Sequence, residues 1–100
     1  MIQLNQHATP DPEVVVTELE GLEGKEAVLL HLGTKMYFTL NETGLRIWQM
    51  LNSGLTPEEI SEQFLKEFDI SPEKAKESIL NLIDELITEK LVKVADGWSD

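Results

Sequence analysis

Residues 27–51, AVLLHLGTKMYFTLNETGLRIWQML, constrain the fold more than any other stretch of this 100-residue chain. Two short runs rich in branched and aromatic residues flank Gly33, Thr34 and Lys35, and the second passes directly into Asn41 and an apolar helical pattern. Strand, turn, strand and capped helix follow one another with no spare residues, so this segment dictates how a sheet meets helices.

The turn sets the pairing of the hairpin. A two-residue loop of Gly33 and Thr34 would put His31 opposite Met36 and Leu32 opposite Lys35, mixing polar and apolar side chains on both faces. A three-residue loop of Gly33, Thr34 and Lys35 instead pairs Leu32, Leu30 and Val28 with Met36, Phe38 and Leu40 as one apolar face, and this register is expected. The other face then carries Leu29, His31, Tyr37 and Thr39. With Leu32 and Met36 as a hydrogen-bonded pair, Met36, Phe38 and Leu40 turn their backbone groups inward and Tyr37 and Thr39 turn theirs outward. On an edge strand, those outward groups are available to another chain.

Upstream, residues 1–12 are polar, carry two prolines and show no period, which predicts a mobile arm. The β-branched residues 14–19 predict a first strand. Downstream, Asn41 is the expected N-cap of a helix running to about Asn52 and ending at Gly54, with Leu45, Trp48 and Leu51 on one stripe beside Ile47. Thr56-Pro57-Glu58-Glu59 is a capping box with proline at the first turn, and Leu55 can staple to Ile60. Ile60, Phe64 and Phe68, with Leu65, make that second helix amphipathic. Ser71-Pro72-Glu73 opens a third helix to about Glu89, with Ala75, Ile79, Leu82, Ile83 and Leu86 facing the core.

Leu80 and Ile87 widen that stripe on one side only, at about 100° per residue, and acidic Glu73, Glu77 and Asp84 lie beyond them. This shoulder either packs under the first strand or the C-terminal segment, or forms one wall of a groove. Residues 90–94 can add a short strand, and residues 96–100 read as a frayed tail. The expected fold is α+β and winged helix-turn-helix-like: a three-stranded antiparallel sheet followed by three helices, in one domain over residues 13–95.

Several functions are excluded by what the chain carries. It has no cysteine, which removes disulfides and thiol chemistry and points to a cytoplasmic protein. Its apolar runs are too short to span a bilayer. His7 and His31 have no helical metal-ligand spacing, no glycine-rich phosphate loop follows a strand, and no acidic pair or serine stands out for catalysis. No metal site and no cofactor are implied. Arg46, the only arginine, either solvates the first helix or anchors a partner's carboxylate. A helix-turn-helix shape suggests DNA binding, but a net charge of −11, with Glu73, Glu77, Asp84, Glu85 and Glu89 on the third helix, opposes nucleic acid and anionic membrane alike.

The run Tyr37-Phe38-Thr39-Leu40-Asn41-Glu42-Thr43-Gly44, followed by Ile47-Trp48, Leu51, Gly54, Thr56 and Glu59-Ile60, resembles the core pattern of the PqqD-like family. Its eponymous member takes part in pyrroloquinoline quinone biosynthesis. The resemblance extends over residues 14–94, and Leu82, Leu86, Leu91 and Val92 fit the family's third helix and its end. A glycine common in the turn before the aromatic strand is Lys35 here, with Gly33 two positions earlier. The resemblance implies a non-catalytic recognition element for ribosomally made, post-translationally modified peptides. A precursor's leader peptide would add as a strand beside Tyr37 and Thr39, in a cleft closed by the third helix through Leu80, Ile83 and Ile87, and be presented to a modifying enzyme such as a radical-SAM protein. The chain is expected to act as a monomer or homodimer. Two other classes are a scaffold or regulatory subunit of a partner enzyme, and an acidic winged-helix transcription factor.

Overall fold

The computed structural model describes residues 6–21 and 24–95. In chain order the elements are β1 (His7–Pro10), β2 (Val14–Gly21), β3 (Gly24–His31), β4 (Tyr37–Leu40), α1 (Glu42–Asn52), α2 (Pro57–Glu67), α3 (Pro72–Thr88) and β5 (Val92–Ala95). β2, β3 and β4 form an antiparallel sheet in that order, and the three helices follow it. This is the α+β arrangement expected from the sequence.

The N-terminal segment departs from expectation. Residues 7–10, read as part of a mobile arm, form β1 and pair antiparallel with β5 in a separate two-stranded sheet, with Ala8 opposite Val94 and Thr9 opposite Lys93. Ala8 is buried in the core. Its partner lies at the other end of the chain, so no local period announces the strand, and Pro10 at its end removes only one backbone donor. The expected tail at residues 96–100 lies outside the described residues.

The three helices start where their caps predicted. The Asn41 side chain accepts from Gly44 N–H, Thr56 and Glu59 form a reciprocal capping box, and Ser71 accepts from Lys74 N–H. Each cap satisfies an otherwise orphaned N-terminal amide and typically contributes about 1 kcal/mol. Gly54, beyond the end of α1, takes φ +90°. The stripe of α1 is buried as Leu45, Ile47, Trp48, Met50 and Leu51, and α1 packs against β3, β4, β1 and α2 together. α3 buries Ala75, Ile79, Ile83 and Leu86 and packs chiefly on α2 and β5.

The β3–β4 register is the one the polarity pattern argued against. Leu30 pairs with Tyr37, Leu29 with Phe38, Val28 with Thr39 and Ala27 with Leu40. His31 therefore stands opposite Met36, and its N–H donates to Met36 O at 2.9 Å. The loop is the four residues 32–35, closed by Lys35 N–H donating to His31 O at 2.8 Å, with Lys35 at φ 65°. That left-handed conformation suits glycine and costs a residue bearing a Cβ about 1–2 kcal/mol. The glycine that the resemblance led one to expect in this turn would take that conformation without strain, and here Lys35 takes it.

The expectation failed because it sent His31 outward as a polar residue. The inner face of the sheet is instead Ala27, Leu29, His31, Phe38 and Leu40, and the outer face carries Val15, Val28, Leu30, Tyr37 and Thr39. One consequence survives the change of register. Met36 sits in a hydrogen-bonded position either way, so alternation still turns the backbone groups of Tyr37 and Thr39 away from β3.

Candidate functional site: a cleft beside an open strand edge

β4 is an edge of the sheet, bonded on one side to β3 alone. Tyr37 and Thr39 present their N–H and C=O groups on the other side, and Tyr37 is 68% exposed. The edge exists because the chain leaves Leu40 directly for the Asn41 cap, which turns it into α1 before a further strand could form. Gly44 allows that tight exit: a Cβ there would stand 3.2 Å from both Asn41 Oδ1 and Leu40 Cδ2.

Across from this edge runs α3, and because α3 packs on α2 and β5, the space between it and β4 is left open. Two hollows meet at Phe38. One, of about 400 Å³, has Leu40, Gly44 and Ile47 on the sheet and α1 side and Ser78, Leu82 and Glu85 on α3. The other, of about 660 Å³, runs from Phe38 along Asn81, Asp84, Glu85, Thr88 and Glu89. The cleft is thus apolar near the start of α1 and acidic toward the end of α3.

The five residues expected to bind peptide are divided by this geometry. Tyr37 and Thr39 lie on the open edge, and Thr39 also lines the smaller hollow. Ile83 is 0% exposed and belongs to the core. Leu80 and Ile87 are partly buried against the core cluster and line neither hollow. At about 100° per residue they fall on one flank of the buried stripe, whereas Ser78, Leu82 and Glu85 fall on the other. The apolar shoulder was real, but the cleft opens on the opposite flank. Leu82 was the legible clue: it sits at the margin of the stripe and is only half-buried, where Ile79, Ile83 and Leu86 are sealed.

Arg46 is not left for a partner's carboxylate. Its Nε and Nη2 donate to Glu67 Oε1 and Oε2, both at 2.7 Å, so a two-pronged ion pair ties α1 to α2. The hydrogen bonds from Arg46, then that from Gln63, pull the Glu67 carboxyl down to about 2 from its ordinary 4.5. The same pairing raises Arg46 above its ordinary value. Among the described residues no three His, Cys, Asp or Glu side chains cluster to hold a metal ion, and no helix is long and apolar enough to cross a membrane.

Known structures share the architecture. TbiB1 in complex with the TbiA(beta) leader peptide is 29% identical, with a TM-score of 0.75 over 92% of this chain and 99% of that one. Lasso peptide synthetase B1 complexed with the leader peptide is 23% identical, with a TM-score of 0.73 over 87% of this chain and 98% of that one, and shares the fold. Comparison with curated proteins gave no match. Residues 26–92, which hold most of β3, β4, all three helices and the start of β5, match the family of Coenzyme PQQ synthesis protein D (PqqD), and the chain belongs to that family.

Proposed function

We propose that this chain binds the leader of a ribosomally made precursor peptide, which adds as a strand to β4, and presents it to a modifying enzyme. The observation that carries the reading is the open β4 edge, with the outward backbone of Tyr37 and Thr39 beside the cleft that Thr39 lines together with α3. Backbone pairing supplies affinity, and alternate peptide side chains enter the hollows for specificity. Phe38, Leu82 and Ser78 supply the wall at the shared and apolar part of the cleft, and Glu85 borders both hollows. The family membership and the leader peptide held by the 29% identical TbiB1 support the same reading. The chain itself performs no catalysis in this scheme. The enzyme, of which a radical-SAM protein is one class, supplies the chemistry, and a cytoplasmic setting accords with the cysteine-free sequence.

Titration calorimetry with synthetic leaders from the short reading frames neighbouring its gene tests this. Saturable one-to-one binding, with added strand signal in the complex and line broadening or shifts at Tyr37 and Thr39 amides, is the expected result. Binding that leaves both amides unperturbed would remove β4 as the site.

A further inference from the structure

Among the described residues, His31 is the one ionisable side chain buried on the inner sheet face, 7% exposed, with Nδ1 hydrogen-bonded and Nε2 facing a carboxylate. Nδ1 accepts the N–H of Gly33 at 3.0 Å and that of Thr34 at 3.2 Å. A nitrogen that accepts carries no hydrogen, so the neutral ring has its proton on Nε2. Nε2 in turn lies 3.7 Å from Asp11 Oδ2. The loop is packed flush on the ring: a Cβ at Gly33 would stand 3.0 Å from His31 Cε1 and 2.6 Å from Glu13 Oε1.

Asp11 is held as firmly. Its N–H donates to Leu91 O at 2.9 Å, and its Oδ1 accepts Glu13 N–H at 2.8 Å. Lys93 Nζ lies 3.9 Å from Oδ2. The Glu13 hydrogen bond first, then the Lys93 charge and the Nε2–H of His31, keep the Asp11 carboxyl below its ordinary value. Glu13 O accepts Leu32 N–H at 3.0 Å, so the corner between β1 and β2 grips the β3–β4 loop from both ends of His31.

We infer that His31 is a positioning residue for peptide binding: by accepting from Gly33 and Thr34 it locks the four-residue loop, and the loop fixes the register in which the Phe38 ring packs inward to line the cleft and the Tyr37 ring stays out of the core. The inference rests on β4 being the peptide edge. Its physical basis is the competing register. A three-residue loop would put Leu30 opposite Phe38, an all-apolar pairing, and with Leu29 kept inside it would turn Phe38 out of the core and Tyr37 into it. The paired donation of Gly33 and Thr34 to Nδ1 belongs to the observed four-residue loop, so His31 favours this register. Asp11, 3.7 Å from Nε2, is part of the same device, although it lies ahead of the family-matched residues.

The test compares His31→Leu, which removes the acceptor, with His31→Asn, whose side-chain oxygen can replace it. In the free protein, amide exchange at Gly33 and Thr34 should rise about tenfold in His31→Leu while α1 amides keep their protection, and return near wild type in His31→Asn. Affinity for a synthetic leader that binds the wild-type chain should fall about fivefold or more in His31→Leu and recover in His31→Asn. Wild-type loop exchange in His31→Leu, or equal loss in both variants, would overturn the inference. If His31→Leu does not fold, Gly33→Ala, which crowds the ring without removing it, should give the same exchange pattern, and an unchanged loop would overturn it equally. Raised loop exchange with unchanged leader affinity would leave His31 as the loop's anchor, overturn its role in binding and count against β4 as the peptide edge.

Discussion

The sheet has two open edges, and they differ in what stands opposite. β2 is the longer, Val14–Gly21, and by alternation from the Glu13–Leu32 bond its outward backbone groups belong to Val16, Glu18 and Glu20, with Val14 N–H already donating to Asp11 O. It packs substantially on β3 alone, and its exposed length carries acidic side chains of the kind that discourage strand addition. β4 is half as long, Tyr37–Leu40, yet α3 faces it across a lined cleft. An unpaired edge offers any chain the same hydrogen bonds. A second wall adds pockets for side chains, and among the described residues the short edge has one in α3.

Both edges depend on the α1 core beneath the sheet, and its loss is the largest effect expected. Trp48, 3% exposed, sits where α1 packs on β3, β4, β1 and α2. Trp48→Ala should cost about 3–5 kcal/mol, read from denaturant unfolding. A melting temperature within a few degrees of wild type would show that α1 is not the common support of the two edges.

Within β4, inward and outward positions should separate. Phe38→Pro removes an N–H directed at β3 and a ring packed against the core, so the domain should lose about 3 kcal/mol. Thr39→Pro or Tyr37→Pro removes an outward N–H and should leave a folded protein. Leader affinity should then fall by about 1 kcal/mol per lost bond. Glu18→Pro on the other edge is the control and should change neither. Equal weakening by Glu18→Pro would mean that the long edge also takes peptide.

The second wall makes the comparison sharper. Leu82→Asp places a carboxylate in the apolar hollow and should weaken leader binding about tenfold with circular dichroism near native. Leu80→Asp, on the far flank, should lower stability and leave the affinity of the folded fraction unchanged. The reverse outcome would move the cleft to the other side of α3.

How far the sequence disclosed all this depended on the range of the interactions. Asn41, Thr56-Pro57-Glu59 and Ser71-Pro72 are local signals, because a cap acts on amides two or three residues away, and all three helices start where they predicted. Outward Tyr37 and Thr39 were legible because both registers share that alternation. The register itself was not, since the polarity of His31 is satisfied by amides of its own loop. β1 was hidden because its partner is β5. The flank of α3 that meets the cleft follows from how α2 and β5 rotate the helix, and its own periodicity shows only that one stripe is buried.

The smallest effect lies away from both edges, at the Arg46–Glu67 pair joining α1 to α2, and it separates stability from edge geometry. With its carboxyl at about 2 in the folded chain against an ordinary 4.5, Glu67 binds its proton more readily when unfolded. Its contribution is therefore fully present above about pH 4.5 and is lost as pH falls toward 2. Because the pair is partly exposed, that contribution should not exceed about 1 kcal/mol. Glu67→Gln should lower the unfolding midpoint slightly at pH 7, converge with wild type near pH 2, and leave leader affinity unchanged. If so small a loss of stability in the helices did weaken binding, the losses expected from the β4 and α3 substitutions could no longer be assigned to the edge and its wall.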